Sequence, residues 1–184
     1  LKLFARQGGF RVALFIGENM DPKLKAFLDL IAWSEGTSTE DITVNDGYDV
    51  IVTGEVPGSN GMLMKHEEVF TDYSDHPFTT HPLVEVRPGL FSSAAGRYQV
   101  LHHYFEAYKK QLSLPDFSPA SQDAVALQQI TERRAISDIE AGEVETAIRL
   151  CANIWASFPG NSYGQGGRSM DALLAKYDAF LAAA

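Results

Sequence analysis

The stretch PKLKAFLDLIAWSEG, Pro22 to Gly36, decides the fold, because it reads as a core helix that delivers one carboxylate, Glu35, to the edge of a cleft. Asp21 is suited to cap orphan N–H groups, and Pro22 in the first turn gives up an N–H that has no intrahelical partner. Leu24, Phe27, Leu28 and Ile31 recur at helical spacing and form one core-facing stripe, while Lys23, Lys25 and Asp29 fall largely outside it. Glu35 lies on that stripe, one turn beyond Ile31, where unpaired carbonyls make the local potential negative. Burial and that potential both disfavour ionisation, so the expected shift in proton affinity is upward, toward a general acid near neutral pH. A second reading stands beside this one: a Glu at a helix end before a capping glycine, Gly36, is also an ordinary solvated residue.

The chain has 184 residues, 45% hydrophobic and 21% charged, which suits one globular domain with a substantial core. We divide it into an N-terminal extension of uncertain origin, 1–20, and a catalytic domain, 21–184. The apolar run Val12–Ile16 is too short for a signal-peptide core. A net charge of −9 argues against nucleic acid as a partner. Nothing approaches the length of a membrane span, so no stable membrane association is expected. The single cysteine, Cys151, sits at helical spacing with Ala147, Ile148 and Trp155 and reads as a core thiol. His66, His76, His81, His102 and His103 lack zinc-ligand spacing, so neither a metal nor another cofactor is expected.

Beyond the first helix, Thr37–Asp46 reads as a loop. Tyr48–Thr53 and Val69–Tyr73 read as strands of a small antiparallel hairpin, with a turn at Pro57–Gly61 and an extended loop over Met62–Glu68. Asp75–Ala95 reads as a long structured connection. Helices are expected from Arg97 to Leu112, from Pro119 through Ile130, briefly over Ile136–Ala141, from Val144 to Trp155, and over Asp171–Leu181. Ser157–Gly167 is rich in glycine and must be a loop. Together these make an α+β fold, mostly helical, with a small antiparallel hairpin bordering a cleft.

Several collinear segments, WSEGT (Trp33–Thr37), GYDVIV (Gly47–Val52), FTDYSDHP (Phe70–Pro77), AGRYQ (Ala95–Gln99), SQDAVALQQI (Ser121–Ile130) and NIWASFPG (Asn153–Gly160) with YGQ (Tyr163–Gln165), resemble the bacteriophage lambda lysozyme family. The resemblance spans essentially the whole domain. It implies a lysozyme-like fold and an endolysin acting as a lytic transglycosylase, which cleaves the MurNAc-β-1,4-GlcNAc bond of peptidoglycan and leaves 1,6-anhydromuramoyl ends. It places the family's catalytic acid on Glu35 and implies that Gly96, Tyr98, Gln99, Tyr163 and Gln165 line the glycan site. Tyr48 and Asp49 in GYDV join them as substrate-binding candidates, with solvent-facing residues as the alternative for Asp49. Trp33 and Trp155 read as packed rather than sugar-facing, and Asp72 and Asp75 as turn and cap residues.

Peptidoglycan glycan strands are the expected partner, bound by a monomer. Without a signal peptide, such an enzyme would accumulate in the host cytoplasm and reach the wall only after another protein opens the membrane. Two departures from the family stand out: a longer stretch between Thr53 and Val69, and a divergent one over Phe78–Ser93. Two other functions remain open at this level. One is a hydrolytic muramidase in which Asp49 activates water. The other is a non-catalytic glycan-binding or virion structural protein of the same fold.

Overall fold

The computed structural model describes residues 20–39, 41, 43–52, 55–58, 62–65, 68–160 and 167–184. The proposed extension, apart from residue 20, therefore lies outside the described residues, as do Thr53, His66, Tyr163 and Gln165.

Helix α1 spans Pro22–Glu35, as its caps dictate. The Asp21 carboxylate accepts the Lys23 N–H at 2.7 Å, and Gly36 closes the helix in the left-handed region with its N–H on the Trp33 carbonyl. Its buried face is wider than a single stripe: Ala26, Phe27, Leu30, Ile31 and Ala32 are all fully covered. The other helices wrap it, with α6 (Met170–Ala183) and α4 (Ile136–Ala141) packed directly against it. Helices α2 (His102–Leu112), α3 (Pro119–Glu132) and α5 (Val144–Cys151) complete the helical part. Phe27 meets Phe158 edge-on at 6.1 Å, and Phe158 meets Trp155 in the same way, so the core runs from α1 into the segment after α5.

The β structure departs from the sequence reading. Among the described residues of the expected strand Tyr48–Thr53 there is no continuous strand: the chain turns through residues 46–49 and residues 50 and 51 pair as bridges, Val50 with Val69 and Ile51 with Ala95. Val50 meets the expected partner segment at Val69, whereas Ile51 pairs with Ala95, which the sequence reading placed in a connection, and each is a single rung. Three two-stranded antiparallel sheets are present among the described residues. β1 (Glu55–Pro57) pairs with β2 (Leu63–Lys65), with Pro57 opposite Leu63, where the sequence reading expected a turn and an extended loop. β3 (Val84–Arg87) pairs with β4 (Leu90–Ser92) inside the expected connection, turning at Pro88–Gly89. β5 (Ala94–Ala95) pairs with β6 (Val100–Leu101), which delays the start of α2 to His102.

Candidate active site

Glu35 closes the last turn of α1, partly buried, and its Oε1 accepts a 2.6 Å hydrogen bond from the Ser157 hydroxyl. Ser157 also lies 2.9 Å from the Ser34 hydroxyl, which donates to the Ile31 carbonyl at 2.9 Å. Desolvation raises the proton affinity of Glu35 above the ordinary glutamate value, and the side-chain and backbone hydrogen bonds from Ser157 oppose it. The carboxyl is thus biased toward holding a proton, while Ser157 keeps ionisation within reach.

The segment bearing Ser157 is tied to the end of α1. The Arg168 N–H donates to the Ser157 carbonyl at 3.0 Å, and the Arg168 guanidinium lies 3.9 Å over the Trp33 ring while donating to the Trp33 carbonyl at 3.1 Å. Trp33 is thus a docking face for Arg168, and Trp155 is a core residue whose indole N–H donates to the Tyr98 carbonyl at 3.2 Å. On the other side, Thr37 is fully buried and its hydroxyl is shared between the Ala32 and Arg97 carbonyls. The WSEGT segment therefore owes its last residue to packing: Thr37 holds the helix end against the 96–99 turn.

Several of the proposed glycan contacts also make bonds that hold the fold. Asp49 is 2% exposed, and its carboxylate accepts from the Thr43 hydroxyl and from the Val44 N–H at 3.0 Å, closing the loop that precedes it. The expectation of an outward-facing strand residue fails because this segment is a turn, where alternation does not apply. Gly96 is buried with φ +76°, and a Cβ there would stand 2.2 Å from the Gln122 Oε1. That oxygen accepts the Arg97 N–H at 2.9 Å, while the Gln122 amide donates to the Tyr48 and Phe117 carbonyls. Gly96 therefore allows the close backbone approach of Gln122.

Tyr48 and Tyr98 both donate their hydroxyls to the same oxygen of Asp123, at 2.7 and 2.6 Å, and their rings meet edge-on at 6.2 Å. Burial raises the proton affinity of Asp123, and the two tyrosine bonds counter that. Arg97, 3% exposed, spans the same region, pairing with Asp29 on α1 at 2.8 Å and with Asp46 at 2.7 Å. This network clamps the 46–49 and 96–99 turns between α1 and α3, so the hydroxyls of Tyr48 and Tyr98 are committed to the fold.

Gln99 is half-buried with φ +50°, its amide donates to the Gly96 carbonyl at 3.1 Å, and it lines a cavity of about 290 Å³. Trp155 lines the same cavity and precedes Ser157 by two residues. Asp72 and Asp75 are turn residues as expected, accepting the Ser74 and His76 N–H groups at 2.8 Å. Cys151 is fully buried, and burial pushes its thiol up to about 12. Among the described residues no cluster of three or more His, Cys, Asp or Glu side chains is placed to hold a metal, and no helix is long and apolar enough to cross a membrane.

Ser157 and Arg168, which bind Glu35 and Trp33 at the end of α1, are residues that the sequence reading did not single out. Ser157 lies inside the NIWASFPG block, which is the one signal that points to it; Arg168 has none, since nothing local marks its contact with Trp33.

The family profile described as Endolysin matches residues 25–184 of the chain. An endolysin of Escherichia phage lambda is 53% identical over 154 residues, covering 83% of this chain and 87% of its own. An endolysin of Escherichia phage P2 is 51% identical over 158 residues, covering 85% and 91%. The solved structure of bacteriophage lambda lysozyme complexed with a chitohexasaccharide superposes with a TM-score of 0.75 at 50% identity, over 88% of this chain and 96% of that one. A second lysozyme structure from bacteriophage lambda gives 0.72 at 48% identity over the same shares.

Proposed function

The chain belongs to the endolysin family, a peptidoglycan-cleaving class with a lysozyme-like fold, and from that premise we propose that it is a lytic transglycosylase in which Glu35 serves as acid and then as base. One observation carries this reading. Glu35 is biased toward protonation, while Asp49, the acid that a water-activating mechanism would call on, is buried and engaged by Thr43 and Val44. That arrangement argues against the hydrolytic muramidase.

In the proposed reaction, protonated Glu35 gives its proton to the glycosidic oxygen as the bond to the muramoyl anomeric carbon breaks, and positive charge develops on that sugar. The resulting carboxylate then takes the proton of the same sugar's 6-hydroxyl as its oxygen attacks the anomeric carbon. The 1,6-anhydro ring closes, and Glu35 ends as it began. The nucleophile is tethered to the electrophile, so proximity comes from the substrate rather than from a positioned water. Ser157 suits both steps: its donation to Oε1 favours the acidic proton on Oε2 before transfer and stabilises the carboxylate afterwards.

Gln99, with Tyr163 and Gln165 carried over from the family motif, is proposed to contact the glycan. The phage lambda lysozyme is named as complexed with a chitohexasaccharide, and its N-acetylated sugar chain is a fitting surrogate ligand for this site. The proposed setting is the host cytoplasm before lysis and the wall afterwards, with the enzyme acting as a monomer.

Mass spectrometry of digested peptidoglycan tests the proposal. Products should lack one water relative to hydrolysis products, and reducing muramic ends would overturn the assignment. Glu35→Gln should fold and lose about 10²–10⁴ of the activity; intact wall clearing by that variant would remove Glu35 from the mechanism and favour a non-catalytic reading.

A further inference from the structure

Three hydrogen bonds and a short piece of helix close a ring at the end of α1. The Ser157 hydroxyl donates to Glu35 Oε1 at 2.6 Å, the Arg168 N–H donates to the Ser157 carbonyl at 3.0 Å, and the Arg168 guanidinium donates to the Trp33 carbonyl at 3.1 Å. Trp33 precedes Glu35 by two residues on the same helix, so the last link is covalent. Arg168 thus joins the backbone of the hydrogen-bond donor to the helix that carries its acceptor.

The clamp is built for an arginine. Its guanidinium lies 3.9 Å over the Trp33 ring while one of its N–H groups reaches the Trp33 carbonyl, a combination that the compact ammonium of a lysine does not reproduce. That carbonyl also takes the Gly36 N–H at 3.2 Å and belongs to the negative end of the helix, where a cation is favoured. The side chain keeps this pose although its Nε is buried without a hydrogen-bond partner. A buried donor left unpaired costs free energy, so the stack and the carbonyl decide where the guanidinium sits. Gly167 tightens the same joint, because a Cβ there would stand 2.8 Å from the Ser157 carbonyl oxygen.

Trp155 and Phe158 lie on either side of Ser157 and are buried in the core, so the segment keeps Glu35 desolvated with or without the clamp. What the clamp adds is register, and a hydrogen bond weakens steeply once its angle and length are lost. The other charged groups around this helix end are engaged elsewhere. Lys176 of α6 lies 5.7 Å from the Trp33 ring and 4.7 Å from that of Phe180, and Arg97 pairs with Asp29 and Asp46 on the Thr37 side. A change of Arg168 to lysine alters none of these charges.

We propose that Arg168 is a positioning residue for the reaction: it holds the Ser157 hydroxyl in register with the Glu35 carboxyl, so that the acid can both give up and regain its proton. It acts through Ser157. The inference rests on the reading of Glu35 as the acid, and its test separates the two.

The test compares Arg168→Lys, which keeps the charge but not the planar fork, with Gly167→Ala, which presses on the Ser157 carbonyl from the other side. The titration of Glu35 is followed by its carboxyl resonance in ¹³C-glutamate-labelled protein, identified as the signal missing from Glu35→Gln. Loss of register weakens the bond that favours the carboxylate, so the midpoint should rise by about half a pH unit or more in each variant, roughly threefold in proton affinity. The alkaline limb of kcat/KM should move with it, and kcat for wall clearing should fall about three- to tenfold. In a Ser157→Ala background, Arg168→Lys should move the midpoint no further. A midpoint that stays in place in folded Arg168→Lys and Gly167→Ala overturns the proposal even if the rate falls, because Arg168 is then only a packing contact. A shift of equal size in the Ser157→Ala background also overturns it, since Arg168 would be acting on Glu35 without Ser157. Glu35→Gln reads the other question: intact wall clearing removes the acid from the mechanism, while the midpoint still reports whether Arg168 holds Ser157 to Glu35.

Discussion

Ser157 is the residue whose hydrogen bond opposes the effect of burial on Glu35. Its hydroxyl bond lowers the proton affinity that desolvation raises, so Ser157→Ala should leave Glu35 protonated to higher pH. The sign follows directly: a general acid that holds its proton longer keeps working further into the alkaline range, but its conjugate base forms less readily. The expected outcome is an alkaline limb of kcat/KM displaced upward and a maximum rate lower by about tenfold, read from initial rates of wall clearing between pH 5 and 9. A fall in rate with an unmoved limb would leave Ser157 only a packing role. Glu35 was legible from its place on the α1 stripe, whereas Ser157 was not, because 122 residues separate the two partners and no periodic pattern reports such a contact. Asp49 misled for a related reason: its apparent alternation with Tyr48 and Val50 assumed a strand where the chain makes a turn.

Among the elements, the helices were legible and the sheets were not. The caps at Asp21 and Gly36, the proline starts at Pro22 and Pro119 and the stop at Gly142 each act within one turn, so the sequence states them locally. Strands of two to four residues, such as Ala94–Ala95 and Val84–Arg87, are too short for a two-residue period to emerge, and their pairing is set by neighbours distant in the chain. The 96–99 turn shows how far such an element depends on tertiary context. Gly96→Ala would force a Cβ at φ +76° to within 2.2 Å of the Gln122 oxygen, displacing an amide that holds Arg97, Tyr48 and Phe117. A loss of about 3 kcal/mol or more is expected, measured as a lowered urea midpoint with a wild-type slope. A neutral substitution would mean that Gln122 can leave without cost. His76 makes the corresponding case between the Pro77–Thr79 turn and the rest of the core. It is 1% exposed, accepts the Phe78 N–H and lies 3.0 Å from the Val100 carbonyl, and burial drives its pKa down to about 4. The unfolded chain takes up this proton near pH 6.5 and the folded one only near 4, so the neutral ring stabilises fully above 6.5 and progressively less as pH falls through that window. Wild-type stability should drop by about 2–3 kcal/mol more than that of His76→Gln between pH 7.5 and 4.5. Parallel pH profiles for the two proteins would refute the assignment.

At the scale of the whole molecule, the fold arranges a mostly helical body around α1 and leaves the least regular segments, the 46–49 and 96–99 turns and the Ser157 stretch, to build the site at the helix end. Charge acts on the molecule differently from packing, because it operates before any contact is made. A net charge of −9 opposes approach to a wall whose stem peptides carry free carboxylates. At about 10 mM salt the screening length is roughly 30 Å, comparable to the protein itself, and at about 150 mM it contracts to roughly 8 Å, so the repulsion fades before the surfaces meet. The lytic rate should therefore rise on the order of 3–10-fold across that range, the reverse of what a basic enzyme drawn to the same wall would show. Binding of an uncharged chito-oligosaccharide over the same salt series supplies the control, since its encounter with the site involves no net charge on the ligand and its affinity should stay nearly flat. A wall-clearing rate that falls with salt, or a chito-oligosaccharide affinity that climbs as steeply, would show that local groups such as Arg133 at the cavity, not the total charge, govern the encounter.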